Sequence, residues 1–365
     1  MHHIRSLAAC AASLVLAAAA TGAAAADDPA APERFDGVRV ESTSLVADDG
    51  ARLQAFVTRP ETAEGRLPAI LFIQWLSCGA VEIPAAAADR DGWSVMLATL
   101  IEESGAVVWR TEKRGVGGSE GECNELDYDT DLADHRAALR ALMNRPDVDP
   151  DRVFVFGGSM GSNIAPLVAA NQPVAGVAVW GGGARTWAER TLAFERNRLE
   201  LGDLPPAGHA GEMAIRMQVI ERFLLQRQTP AEMAAENVQL GAAWTRFGGG
   251  PTAQTLYGRP FSFHWQAQAQ NWASAWTEVD APVLAMFGEY DWFEDPSGVE
   301  LIGEIVNRER PGAATVAIIP GLDHHFSRFS DRRAAFRREG GVIDPEPMLA
   351  VLLPWLRQQQ ASASR

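Results

Sequence analysis

The run Val153-Phe-Val-Phe-Gly157-Gly158-Ser159-Met160-Gly161-Ser-Asn-Ile-Ala carries one serine between an apolar, strand-like stretch and a helix-forming one. A hydroxyl on such a tight strand-to-helix bend points out of the sheet edge, and glycines on either side remove the Cβ atoms that would collide there. The helix N-terminus behind it favours developing negative charge. The chemistry this suits is nucleophilic attack by Ser159 on a carbonyl carbon. A serine hydroxyl needs a base to take its proton. Beyond residue 26 the histidines are His135, His209, His264, His324 and His325. His324 follows an apolar strand (Thr315 to Ile319) and the turn Pro320-Gly321-Leu322-Asp323. It is therefore in a loop at a strand's carboxyl end, where alternating folds gather their sites. His324 is the expected base, with His325 its rival. His135 lies within a helix and reads as a surface residue. His209 and His264 fall in a helical stretch and read as groups that line it rather than transfer protons. A third group should orient the imidazole and stabilise its cation. Pro282-Val-Leu-Ala-Met-Phe-Gly288-Glu289-Tyr290-Asp291 is again strand, glycine turn and acid, so Asp291 is expected in that role, with Glu289 as the alternative.

Charge that develops on the attacked oxygen needs preorganised donors, each worth about 3 kcal/mol. The N–H of Met160, directly after the nucleophile, is one. The loop after the strand Pro68 to Ile73, Gln74-Trp75-Leu76-Ser77, should supply the other, with the N–H of Leu76 favoured over those of Trp75 and Ser77. There is no Cys-x-x-Cys and no histidine cluster with metal spacing, so no metal and no organic cofactor is expected.

The elements that must position these groups are readable along the chain. Val38 to Val46 and Leu53 to Thr58 flank the turn Asp48-Asp49-Gly50 as an antiparallel hairpin. Strands at Pro68–Ile73, Ala106–Arg110, Arg152–Phe156, Val174–Trp180, Pro282–Phe287 and Thr315–Ile319 alternate with helices at Trp93–Glu103, Leu132–Met143, Asn163–Ala170, Val299–Asn307 and Met348–Gln358. That rhythm predicts an α/β chain with a doubly wound, mostly parallel, eight-stranded sheet. It breaks between about Gly183 and Val279. That stretch reads as a helical insertion, a cap over the site, and it holds five of the 11 tryptophans: Trp187, Trp244, Trp265, Trp272 and Trp276. They read mainly as packing inside the insertion, and otherwise as an apolar wall for a substrate. The expected divisions are a signal peptide at 1–26, a linker at 27–34, a first core part at 35–182, the insertion at 183–279 and a second core part at 280–360.

The signal-peptide reading rests on the basic start at Arg5, the apolar run Leu7 to Ala20 and the small residues Ala24-Ala25-Ala26 before Asp27. It places the protein in the periplasm or outside the cell. The net charge is -15, one unit more negative without Arg5. Such acidity argues against nucleic-acid and anionic-membrane partners. Outside the first 26 residues no run is long enough to cross a bilayer. Cys78 and Cys123 would meet an oxidising compartment, where a disulfide can form.

With these residues in view, the chain resembles the α/β-hydrolase superfamily over nearly all of the sequence past the signal. It is most similar to the bacterial branch of secreted esterases and serine-aminopeptidase-like or dienelactone-hydrolase-like proteins. The order Ser159, Asp291, His324 is that superfamily's order. Arg110 to Gly121 resembles the branch's Arg-Gly-x-Gly-x-Ser turn, and Gly321-Leu-Asp-His324-His-Phe326 its histidine loop. Gln74-Trp75 departs from the His-Gly that many relatives carry. The family's strand order implies that the strands before Cys78 and Cys123 are neighbours, which would allow those cysteines to bond. The resemblance implies hydrolysis of carboxylic esters with small or medium acyl groups through an acyl-enzyme. One alternative is an aminopeptidase or dipeptidyl-peptidase-like activity, which would need an acidic residue such as Glu189, Glu195 or Glu200 to hold a substrate amine. An alternative of another class is a non-catalytic binding protein on the same scaffold. Hydrolytic dehalogenases of this fold need a carboxylate where Ser159 stands.

Overall fold

The computed structural model describes residues 33–248 and 253–363. The expected signal peptide and residues 27–32 of the expected linker lie outside the described residues. Strands β1 (Val38–Val46) and β2 (Arg52–Pro60) form the antiparallel hairpin. Strands β3 (Leu67–Ile73), β4 (Val107–Thr111), β5 (Val148–Gly158) and β6 (Gly176–Trp180) follow. Between β6 and the next long strand lies a two-residue hairpin, β7 (Thr255–Leu256) and β8 (Arg259–Pro260). Strands β9 (Val283–Gly288) and β10 (Ala314–Ile319) complete an eight-stranded sheet of order β1-β2-β4-β3-β5-β6-β9-β10. From β4 to β10 every neighbour is parallel, and within this sheet β2 runs against the rest, since β1, antiparallel to β2, points the same way as β4. The fold is the expected α/β arrangement.

Helices cover both faces because the central strands are apolar on both sides. Helices α1 (Gly92–Glu103), α2 (Tyr128–Met143) and α3 (Gly161–Ala169) come from the first half of the chain. Helix α2 begins four residues before the expected Leu132, because Asp127 caps it by accepting the Thr130 N–H. Between β6 and β9 run α4 (Trp187–Leu201), α5 (Pro206–Ile220), α6 (Pro230–Glu236), α7 (Val238–Phe247), α8 (Phe261–Ala269) and α9 (Trp272–Thr277). Helices α10 (Ser297–Glu309), α11 (Arg332–Arg337) and α12 (Glu346–Ala363) close the chain. One face of the sheet packs against α2, α3 and α10, and the other against α1 and α12. The apolar interior of the segment between β6 and β9 (Val219, Phe223, Trp244, Phe263) is continuous with the α2–α3 side of the core.

That continuity corrects one expectation. His135 is buried, not on the surface, with Nε2 3.4 Å from Asp131 one helical turn earlier. Helix α2 bears a helix on its outer side as well: Gln266 of α8 accepts from the Asp129 N–H and donates to Asp127. Glu33, assigned to the linker, is also buried and forms a two-pronged ion pair with Arg110.

β3 lies beside β4, and Cys78 and Cys123 are joined by a disulfide with a Cα–Cα distance of 5.9 Å. The bridge closes a loop over a 45-residue separation. On the chain-entropy model it should contribute about 4 kcal/mol. Urea unfolding with and without dithiothreitol measures this, and a midpoint that does not fall on reduction would show that the link adds nothing.

Candidate active site

Ser159 sits where β5 turns into α3, with φ at +56°, in the left-handed region. A non-glycine residue held there costs about 1–3 kcal/mol. Two backbone hydrogen bonds at the bend, from the Ser159 N–H to Trp180 O (2.8 Å) and from the Ser162 N–H to Ser159 O (2.9 Å), offset it at about 1 kcal/mol each. The flanking glycines are sterically required. A Cβ at Gly157 would lie 2.3 Å from the Gly161 carbonyl oxygen, and one at Gly161 would lie 2.0 Å from that of Ile73. Those close approaches draw the end of β3, and the loop that leaves it, against the bend.

The three residues expected from the sequence meet here. Ser159 Oγ lies 2.9 Å from His324 Nε2, and His324 Nδ1 lies 2.6 Å from Asp291 Oδ2. Asp291 is fully buried. Its other oxygen, Oδ1, accepts the N–H of Phe293 (2.8 Å) and of Glu294 (3.3 Å), so the carboxylate cannot rotate freely. With Asp291 accepting, the Nδ1 proton is fixed and Nε2 is left to accept from the serine hydroxyl. The His324 ring stacks on Phe293 at 4.9 Å, and its carbonyl accepts the Trp180 Nε1–H. Glu289 turns elsewhere and accepts the Gly321 N–H at 2.8 Å. The rival His325 lines the same cavity without meeting Ser159 or Asp291, and burial, aided by His324, pulls its imidazole down to about 4. His264 is buried within the helical segment, between Trp187 Nε1 and Leu256 O. His209 bonds to Leu204 O, and neither of these two lines the cavity.

The cavity in front of Ser159 measures about 480 Å³, in the range that takes a small organic ligand. Trp75, Trp93, Trp187, Phe194, Tyr257 and Phe293 form its aromatic wall. Of the five tryptophans in the helical segment only Trp187 faces it. Trp244, Trp272 and Trp276 are fully buried in packing, and Trp265 donates to Phe223 O. Met160, Trp75, Leu76 and Ser77 all line the cavity. Among the described residues, the N–H groups of Met160 and Leu76 donate to no protein acceptor.

Two carboxylates line the cavity, and both are engaged. Asp91 caps α1 by accepting the Ser94 N–H, and Glu294 pairs with the buried Arg190 through two hydrogen bonds. The three acids singled out in the sequence stand outside it. Glu189 closes the capping box of α4, Glu195 is buried against Arg198 and Arg216, and Glu200 is exposed. Among the described residues no group of three or more metal-binding side chains comes together, and no helix is long and apolar enough to cross a membrane.

Several further residues that the strand and turn patterns do not single out shape the site. Gly181 has φ at +63°, and a Cβ there would come within 2.9 Å of the His324 ring. The run Gly181-Gly182-Gly183 directly after β6 was the available signal. Arg190 of α4 is buried and also donates to Asn163. Asn197 of the same helix donates to Trp292 O and Glu294 O. Helix α4 is thus bolted to the loop that carries Asp291.

A family model described as serine aminopeptidase, S33, matches residues 87–331. The α/β-hydrolase domain-containing protein WAV2 of Arabidopsis thaliana is 31% identical over 145 residues, 40% of this chain and 42% of that protein. The chain thus spans about two fifths of the length of the curated relatives it matches. Among solved structures, an esterase of Pyrococcus furiosus superposes with a TM-score of 0.51 at 13% identity, covering 91% of this chain and 97% of that one. A proline iminopeptidase of Mycobacterium smegmatis superposes with a TM-score of 0.50 at 17% identity, covering 88% and 100%. At such identities the likeness is one of fold.

Proposed function

The chain belongs to the serine aminopeptidase S33 family of α/β hydrolases, and from that premise we propose that it hydrolyses carboxylic esters through an acyl-enzyme on Ser159. The observation that carries the reading is the unbroken line of hydrogen bonds Ser159–His324–Asp291, opening into an aromatic cavity. His324 Nε2 takes the hydroxyl proton as Ser159 Oγ attacks the ester carbonyl. The N–H groups of Met160 and Leu76 receive the oxyanion. Collapse expels the alcohol, which leaves with the proton from His324. A water molecule, deprotonated by the same nitrogen, attacks the acyl-enzyme. The carboxylic acid departs and Ser159 regains its proton. Asp291 stays ionised throughout and steadies the imidazolium. The segment 183–279 acts as a cap that supplies Trp187, Phe194 and Tyr257 to the acyl pocket.

Preference for an ester over an N-terminal amino acid follows from the carboxylates. A peptidase that trims free N-termini needs an acid available to the substrate's ammonium group. Here Glu294 is taken by Arg190, and Asp91 by the start of α1. Export fits the Cys78–Cys123 disulfide, which persists in oxidising compartments.

The test compares short-chain p-nitrophenyl esters with aminoacyl p-nitroanilides. We expect kcat/KM to favour the esters by about 100-fold. Faster turnover of the anilides would return the aminopeptidase reading. A folded protein that a fluorophosphonate probe does not label would instead make it a binder on a hydrolase scaffold.

A further inference from the structure

The stretch that resembles a family turn, Arg110 to Gly121, does more than turn. Its side chains grip the loop from Gln74 to Ile83 near both of its ends. Arg110 Nη1 donates to Val81 O at 2.8 Å, and the Glu112 carboxylate accepts the N–H groups of Val81 and Glu82 at 3.0 Å. Cys123, just beyond, is bonded to Cys78. At the start of the loop, beside Ser159, two buried cations hold successive carbonyls. Lys113 Nζ donates to Trp75 O at 2.7 Å, and Arg259 Nη1 donates to Leu76 O at 3.2 Å. Arg259 comes from the hairpin in the segment between β6 and β9, and its other nitrogen, Nη2, binds Asp131 of α2 at 2.7 Å.

In a trans peptide the carbonyl of one residue and the N–H of the next point in opposite directions, and the described chain has no cis bond. Drawing Trp75 O onto Lys113 therefore turns the Leu76 N–H away from Lys113. Drawing Leu76 O onto Arg259 fixes the far side of the same residue. Leu76 lines the cavity with Ser159 and Met160, and its N–H has no protein acceptor among the described residues. We propose that Lys113 and Arg259 are positioning residues that hold the N–H of Leu76 as the second oxyanion donor. The proposal rests on the acyl-enzyme reading above and assigns the part of it that the sequence leaves open among Trp75, Leu76 and Ser77. A space-filling role explains Lys113 poorly. Burial pulls its ammonium down to about 7, with Asp131 and Glu112 opposing and Arg259 adding to the fall. An apolar side chain would fill that space without the desolvation penalty, but it has no donor for Trp75 O. Because Arg259 belongs to the segment between β6 and β9, that segment reaches the oxyanion loop as well as the pocket wall.

The test measures wild type, Ser159→Ala, Lys113→Met, Lys113→Gln and Arg259→Lys on one p-nitrophenyl ester, together with inhibition by an aryl trifluoromethyl ketone, which forms a tetrahedral adduct. In Lys113→Met, kcat is expected to fall about 30-fold with KM within threefold, because the interaction is made in the transition state. Ketone affinity should fall by the same factor, and Lys113→Gln, which keeps a donor, should recover part of both. Arg259→Lys keeps a charge beside Asp131 but has one nitrogen for the three acceptors Leu76 O, Leu126 O and Asp131, and should lose kcat in the same way. It serves as the test if Lys113→Met does not fold. Folded variants that keep wild-type kcat, or that lose kcat with ketone affinity unchanged, overturn the positioning role. Loss of the acyl-enzyme reading looks different: Ser159→Ala would then turn over ester as fast as wild type.

Discussion

Ser159→Ala is expected to cut kcat on short-chain p-nitrophenyl esters by about 10⁶-fold, the scale on which loss of a serine nucleophile acts in other hydrolases. The substitution removes one atom, Oγ, and with it the hydrogen bond to His324 Nε2. Alanine keeps the Cβ and the left-handed backbone at +56°, so the bend and its two backbone hydrogen bonds persist. Substrate should still enter the cavity, leaving KM within a few-fold. No neighbouring hydroxyl at the bend can substitute, since Ser162 Oγ is already committed to Gly157 O and Trp180 O. Stopped assays at high enzyme concentration, with fluorophosphonate labelling and a thermal melt on the same sample, would measure this. Turnover near the wild-type rate in the variant would remove Ser159 from the mechanism.

Asp291→Asn should cost about 10⁴-fold in kcat through the tautomer of His324. Asp291 Oδ1 is pinned by two backbone N–H groups, so an asparagine would keep its carbonyl oxygen there and turn its amide nitrogen toward His324. That nitrogen donates, which forces Nδ1 to accept and moves the ring proton to Nε2. The imidazole then points a hydrogen at Ser159 Oγ and cannot take its proton. Glu289→Gln makes the matched control. Glu289 is exposed and accepts the Gly321 N–H in the neighbouring loop, so the variant should keep kcat within about twofold, as surface changes away from special features usually do. Equal losses in the two variants, measured as kcat on the same ester, would mean that the acid has been misassigned.

Much of the frame was legible residue by residue. Val283 to Gly288 and Ala314 to Ile319 were visible as strands because apolar runs end in glycine turns, and the polar residues just past those turns proved to be Asp291 and His324. The bend at Ser159 was visible for the same reason. Where the reading slipped, a second layer was responsible. His135, a polar residue within a helix, is buried beside Asp131, which Arg259 from the distant segment between β6 and β9 also holds. Arg190 shows the spacing of a surface charge and is buried because the loop after Asp291 folds over it.

By itself the sequence determined the order of elements, the bend that presents Ser159, and the two loops that bring Asp291 and His324, because each is written in periodicity and turn chemistry acting within a few residues. Only the tertiary structure decided which charges are buried and what they hold. Lys113 meets Trp75 across 38 residues, Arg190 meets Glu294 across 104, and Arg259 meets Leu76 across 183. Such contacts form where the packing of separate elements leaves a carbonyl or a carboxylate beside a cation away from water. No local pattern encodes that coincidence, since the same arginine at the same helical spacing is equally suited to solvent until a distant loop arrives to cover it.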